Sequence, residues 1–340
     1  MTILTKTKAA LTGIAASLAL LSGAQAAELK PVKMCAFMIM GEGGPEHQML
    51  TDYQAAALNW GVKLELKPYM NENIVVEELK SGVCDVANMT GMQARSFNKF
   101  TGTLDSPGSI PDYEHLKTVI EIISKPSAAK YMKEGDFEVV GIQTGGAIYL
   151  YTNDRKIESM ADLAGKKMGI LDSMPEMRQI VSDMGMTPVS STVTNIFQKF
   201  NNGAIDVTGG PAIVYDMMEL YKGMEPNGGI LEAPLVQGNL QFIARSSALP
   251  EGFAQKSREY FAGNFDASIE FIREAEANIP KKWWISIPEG REPELHAQTR
   301  KVRLAFRDQG VYDPRMLTLL RKIRCKQDGT RAECTSKDAE

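Results

Sequence analysis

Strand-like and helix-like patterns alternate along the chain, and this alternation most limits what it can fold into. Three early runs are apolar or alternate as strands do: residues 32–40, 62–66 and 83–87. Two helical patterns separate them: residues 46–60, which end before Gly61, and a second helix that Asn71 or Asn73 caps and Gly82 ends. This β-α-β-α-β order predicts an open, mostly parallel sheet covered by helices.

A second unit of the same kind follows later in the chain. Its strand-like runs are 167–171, 187–190 and 204–207, and its helical patterns are 159–165, 174–184 and 195–202, the last capped by Thr194. Residues 82–86 and 203–207 both read Gly-x-x-Asp-Val after an amphipathic helix. With these matching flanks, the sequence predicts two lobes of similar build.

The remaining stretches predict how the lobes are joined. Residues 137–153 read as a strand that crosses between lobes, and residues 229–236 and 240–244 as extended runs that cross back. Helical patterns then occupy 253–265, 268–278, 293–309 and 314–324. We therefore divide the chain into a leader (1–26), lobe 1 (27–140), hinge strands with lobe 2 (141–245), C-terminal helices packing across the lobes (246–324) and a tail (325–340).

The first 26 residues predict a secretory signal peptide. Lys6 and Lys8 precede an apolar run at 9–21, and Ala24-Gln25-Ala26 fits the pattern for cleavage before Ala27. The apolar run is shorter than the roughly 20 residues of a membrane span, although an uncleaved anchor is the alternative. We expect export to the periplasm, with no membrane-spanning segment after cleavage.

Four cysteines follow the expected cleavage point, and an even number in an oxidising compartment favours disulfides. Three pairings are possible. We favour Cys35–Cys84, because right-handed crossovers make their strand-like runs neighbours, and Cys325–Cys334, because the two residues are close in sequence. Zinc is the alternative, but the histidines are scattered and no Cys-x-x-Cys pair is present, so we expect no metal site.

Charge and motifs argue against several classes of function. The formal net charge is −4, and the basic residues concentrate in 281–326, so the rest of the chain is acidic and nucleic-acid binding is not expected. The basic region is interpreted as a solvated helical face, with a docking surface for an acidic partner as the alternative. No nucleophile elbow, zinc-protease helix, P-loop or dinucleotide fingerprint is present, so we expect neither catalysis nor a cofactor.

Three segments together resemble one known family. Residues 145–153 lead into Ile-Glu-Ser-Met-Ala-Asp-Leu-Ala-Gly-Lys-Lys-Met at 157–168, residues 194–197 lead into Asn-Gly-Ala-Ile-Asp-Val at 202–207, and 80–85 is a weaker third match. In order and spacing they resemble the DctP-like solute receptors of tripartite ATP-independent periplasmic (TRAP) transporters, in particular a divergent AdeT-like branch. The resemblance implies an α/β, type II-like periplasmic binding fold with a ligand cleft between two lobes, each a mostly parallel sheet flanked by helices.

The chain departs from this family where the ligand is held. The family has an Arg that clamps the ligand carboxylate two residues after the Lys of its Gly-x-Lys segment, and Gly169 stands there. Tyr149 stands where a second cation is common, and Gly210 where the family often has Asn. Because glycine cannot replace a bidentate Arg–carboxylate pair, we expect that no simple organic acid binds in the family's usual way.

Ligands of two-lobed α/β receptors bind where the carboxyl ends of strands meet loops and helix N-termini. The candidate ligand-binding residues at these ends are Glu42, Gly43, Asn88, Thr90, Met92, Tyr149, Asp172, Thr194, Asn195 and Gly210. Glu42 and Asp172 supply acids after apolar runs, with a turn or helix-start role as the alternative. We expect a neutral or cationic ligand, because an acid would require Arg95, Arg155 or Arg178 to move in.

Two functions fit these patterns. The first is a receptor that captures a small molecule for the membrane subunits of a TRAP-type transporter. The second is an accessory envelope interaction protein, associated with efflux or resistance, that retains the receptor fold. A ligand that binds the folded protein raises its melting temperature, which separates the first function from the second. The Trp283-Trp284 pair is interpreted as helix packing, with an exposed contact for a membrane partner as the alternative.

Overall fold

The computed structural model describes residues 29–39, 41–157, 159–288, 290–336 and 340, and the predicted signal peptide lies outside them. The described strands form one eleven-stranded sheet: β1 (Lys30–Phe37), β2 (Val62–Tyr69), β3 (Val86–Thr90), β4 (Lys133–Glu134), β5 (Phe137–Thr152), β6 (Lys167–Leu171), β7 (Thr187–Ser191), β8 (Val207–Pro211), β9 (Gly229–Leu231), β10 (Val236–Arg245) and β11 (Trp284–Ile285). The order is β2-β1-β3-β10-β5-β8-β6-β7, with β4 and β9 also beside β5 and β11 beside β9.

Helices cover both faces of the sheet: α1 (Pro45–Leu58), α2 (Glu72–Ser81), α3 (Gly91–Ala94), α4 (Lys99–Gly102), α5 (Tyr113–Ile123), α6 (Met177–Asp183), α7 (Ile196–Asn201), α8 (Val214–Met217), α9 (Tyr221–Met224), α10 (Phe253–Gly263), α11 (Phe265–Asn278), α12 (Glu292–Asp308), α13 (Pro314–Gln327) and α14 (Ala332–Thr335). Short 3-10 helices lie at Gly41–Gly43, Thr103–Asp105, Pro126–Tyr131, Met160–Leu163, Ser246–Ala248 and Lys281–Trp283. Within the described part of the chain, we find no helix with the length and apolarity of a membrane span.

The two ends of the sheet are built alike. Strands β2, β1 and β3 run parallel at one end, and β8, β6 and β7 run parallel at the other. The repeated Gly-x-x-Asp-Val segment makes the same bond at both ends: Asp85 accepts the N–H of Lys33 at 2.9 Å, and Asp206 accepts that of Lys167 at 2.8 Å. The predicted two-lobed α/β fold, with a mostly parallel sheet in each lobe, is confirmed.

The predicted starts of β3 and β8 are wrong by three residues. Gly82 and Gly203 adopt φ values of 79° and 74°, and the two residues after each glycine donate their backbone N–H groups back to the preceding helix. Those N–H groups cannot also join a strand ladder, so each strand begins only after the aspartate. The predicted cap of α7 is also wrong, because Asn195 and not Thr194 is its N-cap.

Strands β5 and β10, here called the hinge strands, connect the two halves of the sheet. The two strands pair antiparallel, from Phe137 opposite Arg245 at one end to Ile148 opposite Val236 at the other. The far end of β5 pairs with β8, and the far end of β10 pairs with β3, so each strand passes from one half to the other. A register shift at Gly238 marks the crossing, beside Gly146 with its φ of 91°. The predicted outward crossing at 137–153 is confirmed. The return crossing is made by β10 alone, since 229–231 form the separate strand β9, which pairs with β11 and the far end of β5.

The C-terminal helices pack on both halves of the sheet. Phe261 of α10 and Met316 of α13 are buried against the first half. Phe306 of α12 is buried beside Met177, the first residue of α6 in the second half. Trp283 is also buried, which favours the helix-packing interpretation of the tryptophan pair.

Disulfides and ion pairs connect segments near both ends of the described chain to neighbouring elements. Both predicted disulfides are formed: Cys35–Cys84 joins β1 to the turn before β3, and Cys325–Cys334 joins α13 to α14. Glu340 pairs with two buried guanidinium groups, those of Arg303 and Arg324. These arginines also bind backbone carbonyls of the loop before α5, so they connect α12 and α13 to the first half.

Gly141 in β5 allows the ring of Phe261 to lie directly on the strand. A Cβ at position 141 would overlap that ring, which also packs against Tyr53 and Phe242. We predict that Gly141→Ala lowers the free energy of unfolding in urea by about 1–3 kcal/mol, as expected for an overpacked core. Gly263→Ala in α10 is the control, because a Cβ there meets nothing within 4 Å. An equal loss of stability in both variants would contradict the packing explanation.

Candidate functional site

A cavity of about 1570 Å³, counting the space open to solvent at its mouth, lies between the two halves of the sheet beside the hinge strands. The first half contributes Phe37, Ile39, Glu46, Thr90, Gly91, Met92, Asp105 and Pro107. The second half contributes Met168, Gly169, Ile170, Leu171, Met174, Met177, Val193, Ile196, Phe197, Gly209, Gly210, Pro211, Ile213 and Val214. The hinge strands and the residue before β10 contribute Gly145, Ile148, Leu150, Leu235, Val236, Gly238, Asn239 and Leu240.

Most of this wall is apolar. Its polar side chains are those of Glu46, Thr90, Asp105 and Asn239, and no lysine or arginine is among the described residues that line it. The methionines on both sides are flexible and polarisable, so they can adapt to ligands of different shape. A molecule held here would therefore exchange water mainly for apolar contacts.

Asp105 is the most buried acid of the wall, with only 5% of its surface exposed. Asn239 donates its side-chain N–H to Oδ1 of Asp105 and accepts from Nε2 of Gln241 at 2.9 Å. Gln241 in turn exchanges two hydrogen bonds with Thr101. Oδ2 of Asp105 has no hydrogen-bond partner among the described residues. The network thus fixes one carboxyl oxygen and leaves the other unpartnered at the cavity wall.

Gly91, the first residue of α3, makes room for this carboxyl group. A Cβ at position 91 would overlap Oδ2 of Asp105 and lie only 2.6 Å from Oδ1 of Asn239. A side chain at this position would therefore displace the acid from the wall. The absence of a side chain at Gly91 is a geometric requirement of the Asp105 site.

Burial alters the acidity of three carboxyl groups at or beside the wall. It raises the pKa of Asp105 to about 7, although the nearby Arg95 guanidinium opposes this shift. Burial also raises the pKa of Glu46, whose Oε2 has no partner in the described chain, and that of Glu72 to about 6. Glu72 accepts the backbone N–H of Thr90. Because an ionised carboxylate is costly in a dry site without a partner, these acids favour a cation or a strong donor nearby.

An ion pair joins the two halves of the molecule beside the cavity. Arg95, at the end of α3, donates from Nη1 to Oε1 of Glu176, just before α6, at 2.6 Å, and the two side chains are 10% and 15% exposed. The guanidinium also lies 5.3 Å from the ring centroid of Tyr312. A narrow gap nearby is lined from both halves, for example by Asn73 and Asp172. The described conformation is therefore one in which the halves touch across the cleft.

Five of the predicted site residues lie at the cleft. Thr90, Met92 and Gly210 line the cavity itself. Asp172 and Thr194 are exposed and line the narrow gap between the halves. The structure therefore brings the predicted strand ends of the two halves together, as the parallel sheet pattern requires.

The other five predicted residues, Glu42, Gly43, Asn88, Tyr149 and Asn195, are not among the residues that line the cavity. The first two are exposed in the 3-10 helix after β1. Asn88 uses its whole amide on the backbone of Phe37, accepting at 2.8 Å and donating at 3.0 Å. Tyr149 donates to Oε1 of Glu276 at 2.9 Å, and Asn195 accepts a backbone N–H within its own turn.

Isoleucine side chains surround the position where the resemblance places an arginine. A Cβ at Gly169 would lie 2.7 Å from Cδ1 of Ile205 and 2.9 Å from Cγ1 of Ile196. The other arginines that the sequence offered are engaged elsewhere: Arg155 donates to three backbone carbonyls, and Arg178 donates to a serine hydroxyl. The space around position 169 is thus shaped for apolar contact.

Three polar residues of the wall, Glu46, Asp105 and Asn239, are not among those predicted from the sequence. A signal existed for Asn239, because Gln237, Asn239 and Gln241 alternate along β10 and are all buried, which places three polar groups on one face of a hinge strand. Glu46 lies in the first turn of α1, where an acidic residue is also expected for a favourable interaction with the helix dipole. Asp105 lies in a stretch of short helices without a clear period, so no pattern pointed to it.

Solved structures share this fold at low sequence identity. A TRAP periplasmic solute-binding protein from Ralstonia eutropha H16 with bound (S)-2-acetolactate superposes with a TM-score of 0.71 at 15% identity, over 87% of this chain and 99% of that one. One from Haemophilus influenzae with bound L-gulonate gives a TM-score of 0.70 at 14% identity, over 86% and 99%. The predicted TRAP-receptor fold is confirmed.

Sequence relatives identify the family. The model of the solute-binding protein AdeT 1/2 family matches residues 44–339. The chain is 37% identical over 299 residues to "Probable solute-binding protein AdeT1" of Acinetobacter baumannii, covering 88% of this chain and 98% of that protein. It is 25% identical over 235 residues to "Probable solute-binding protein AdeT2" of the same organism, covering 68% and 98%. The chain therefore belongs to the AdeT 1/2 family of solute-binding proteins.

Proposed function

We propose that this protein is a periplasmic receptor that captures a small molecule in the cavity between its halves and delivers it to the membrane subunits of a TRAP-type transporter. The observation that carries this proposal is a large apolar cavity, lined by both halves, with a buried carboxyl oxygen on its wall, Oδ2 of Asp105, that has no partner among the described residues. Such a combination of an apolar cavity and a perturbed acid is typical of binding sites. Ligand capture of this kind needs no covalent chemistry.

The lobes of this receptor are residues 27–140 and 141–245, with residues 246–324 as helices that pack across them. Bending at the hinge strands would open the cleft, because Gly145, Gly146 and Gly238 lie together where these strands cross. Glycines tolerate changes in backbone angle that other residues resist. In the closed form the ligand contacts Thr90, Met92 and Gly210, as well as the acids that the structure adds to the site.

The ligand is held without an arginine clamp. Receptors of this fold bind acids such as L-gulonate and succinate, as their structures are described. In this chain the described cavity wall carries carboxyl groups and no lysine or arginine. The proposed receptor therefore differs from those relatives in the charge of its ligand.

Three predictions follow from the proposed receptor function, and the first of these concerns a co-purified ligand. Native mass spectrometry of mature protein isolated from the periplasm should show a bound small molecule that is released when the protein is denatured. Extract fractions that contain this molecule should raise the melting temperature of the protein. Met92→Trp, which adds bulk at the cavity wall, should lose both signals, whereas Met92→Leu should keep them. Absence of any ligand, together with a stably co-purifying envelope protein such as an efflux component, would instead support the accessory function.

The second prediction concerns organic acids. Isothermal titration of the ligand-free protein with succinate, L-gulonate, orotate and pyroglutamate should show no micromolar binding, because their carboxylates would meet Asp105 and Glu46 instead of an arginine. A neutral sugar without an amino group serves as the negative control for heats of dilution. Micromolar affinity for any of the acids would refute the proposal that this receptor holds its ligand without an arginine clamp.

The third prediction concerns the ion pair across the cleft. Glu176→Gln removes the charge that holds Arg95 at 2.6 Å, and losing a charge-assisted bond should shift the equilibrium toward the open form by about tenfold. Small-angle scattering of the ligand-free variant should therefore give a larger radius of gyration. Glu77→Gln, which breaks an exposed pair with Lys80 within α2, is the control. Identical scattering from both variants would show that the Arg95 pair does not hold the cleft closed.

A further inference from the structure

Resting on the receptor function proposed above, we infer that the cleft binds an apolar amine: a primary or secondary ammonium group that donates to Asp105, on an aromatic or aliphatic body that fills the cavity. This inference names the ligand class of the same site. It depends on the composition of the wall, the balance of charge around Asp105 and the hydrogen-bonding state of its two oxygens.

The wall selects for the body of the ligand. Phe37, Ile39 and Met92 face the cavity from one half, and Ile196 and Phe197 from the other. Buried hydroxyl groups of a polyol would find few partners on this surface, and an unmet hydrogen bond in a dry site weakens binding. A sugar-like or multiply charged ligand is therefore disfavoured, whereas an aromatic or branched aliphatic body matches the wall.

The charged groups around the cavity favour a positively charged ligand. Asp105 and Glu46 are on the wall, and Glu72 binds the backbone of the wall residue Thr90. The guanidinium group near Asp105 is that of Arg95, whose Nη1 is paired with Glu176, while its Nε and Nη2 have no hydrogen-bond partner among the described residues. The carboxyl groups around the cavity thus outnumber the cation, so a positively charged ligand relieves repulsion and an anion increases it.

The hydrogen bonds of Asp105 select for a head group with N–H donors. Asn239 binds Oδ1, and Oδ2 remains without a partner in the described chain. Oε2 of Glu46 is also buried, and it has no partner among the described residues. An ammonium group supplies both a positive charge and several donors, so it can satisfy Oδ2 of Asp105 while its charge also attracts Glu46. A quaternary ammonium group would bring charge without a donor, and an alcohol would bring a donor without charge.

A matched series of three probes tests this inference: 4-phenylbutylamine, 4-phenylbutan-1-ol and 4-phenylbutanoate, which share one body and differ in the head group. Isothermal titration of the ligand-free mature protein at pH 8 should give the amine at least about tenfold higher affinity than the alcohol. The carboxylate should bind more weakly than the alcohol. Thermal shifts should follow the same order.

Variants locate the recognition within the site. Asp105→Asn keeps the shape of the side chain and should abolish the preference for the amine over the alcohol, while affinity for the alcohol persists and shows that the variant is folded. Glu46→Gln should reduce the preference by a smaller factor. Asp183→Asn, which changes an exposed acid of α6 that does not line the cavity, is the control and should leave the preference unchanged.

The pH dependence gives a separate readout. The pKa of Asp105 is about 7, so its ionised fraction rises about tenfold between pH 6 and pH 8, while an alkylamine with a pKa near that of lysine stays charged. Affinity for the amine should rise by a similar factor, and affinity for the alcohol should not. Glu46, Glu72, Arg95 and Tyr312 also act on this region, so the comparison with Asp105→Asn assigns the effect.

Each outcome bears on the inference. Equal or tighter binding of the alcohol or the acid would overturn the ligand class but leave the receptor function intact. A preference for the amine that survives in Asp105→Asn would overturn the assignment of Asp105. Failure of all three probes would overturn the apolar-amine inference, while the co-purified ligand experiment decides the receptor function independently.

Discussion

The antiparallel pairing of β5 with β10 is the constraint on which the rest of the molecule depends. Each strand gives one end to the first half of the sheet and the other end to the second, so neither half can be placed without the other. The parallel trios then direct their carboxyl ends toward the same space, from Phe37 and Thr90 on one side and from Leu171 and Pro211 on the other. The cavity is therefore a consequence of topology, and its chemistry depends on the side chains at those strand ends.

Local geometry explains how much of the fold the sequence predicts. The Gly-x-x-Asp-Val repeats were informative because each residue has a short-range role: the glycine ends a helix at positive φ, and Asp85 or Asp206 binds the adjacent strand. The same turns explain why the predicted starts of β3 and β8 are wrong. A pattern of residue types does not show which backbone N–H groups already donate to the preceding helix. Helix α5 was not predicted, although Leu116, Ile120 and Ile123 recur at helical spacing and Asp112 caps its first turn.

The site was less predictable than the fold because its polar residues meet only through long-range contacts. Asp105 and Asn239 are 134 positions apart in the chain, and neither lies in the three segments on which the resemblance to the TRAP receptors rests. Gly91 contributes through what it lacks, because it leaves space for the carboxyl group. Conversely, a single residue, Gly169, led from the sequence to the proposal of a receptor without an arginine clamp, because the resemblance implies an arginine at that position. That Ile196 and Ile205 lie against the position of a Cβ at residue 169 is visible only in three dimensions.

The placement of Asp105 links ligand binding to stability. Its pKa is raised from 3.8 to about 7 by burial, so between these values the folded protein holds a proton that the unfolded chain has lost. The free energy of unfolding therefore falls as the pH rises through this window, and the full destabilisation is present above it. The same dry surroundings that disfavour the bare carboxylate strengthen its bond to a cation. At neutral pH the carboxyl group of Asp105 thus destabilises the folded protein while the cavity is empty. The proposed ammonium ligand would remove the cause of that destabilisation, so the ligand class that we infer also accounts for a buried acid at this position.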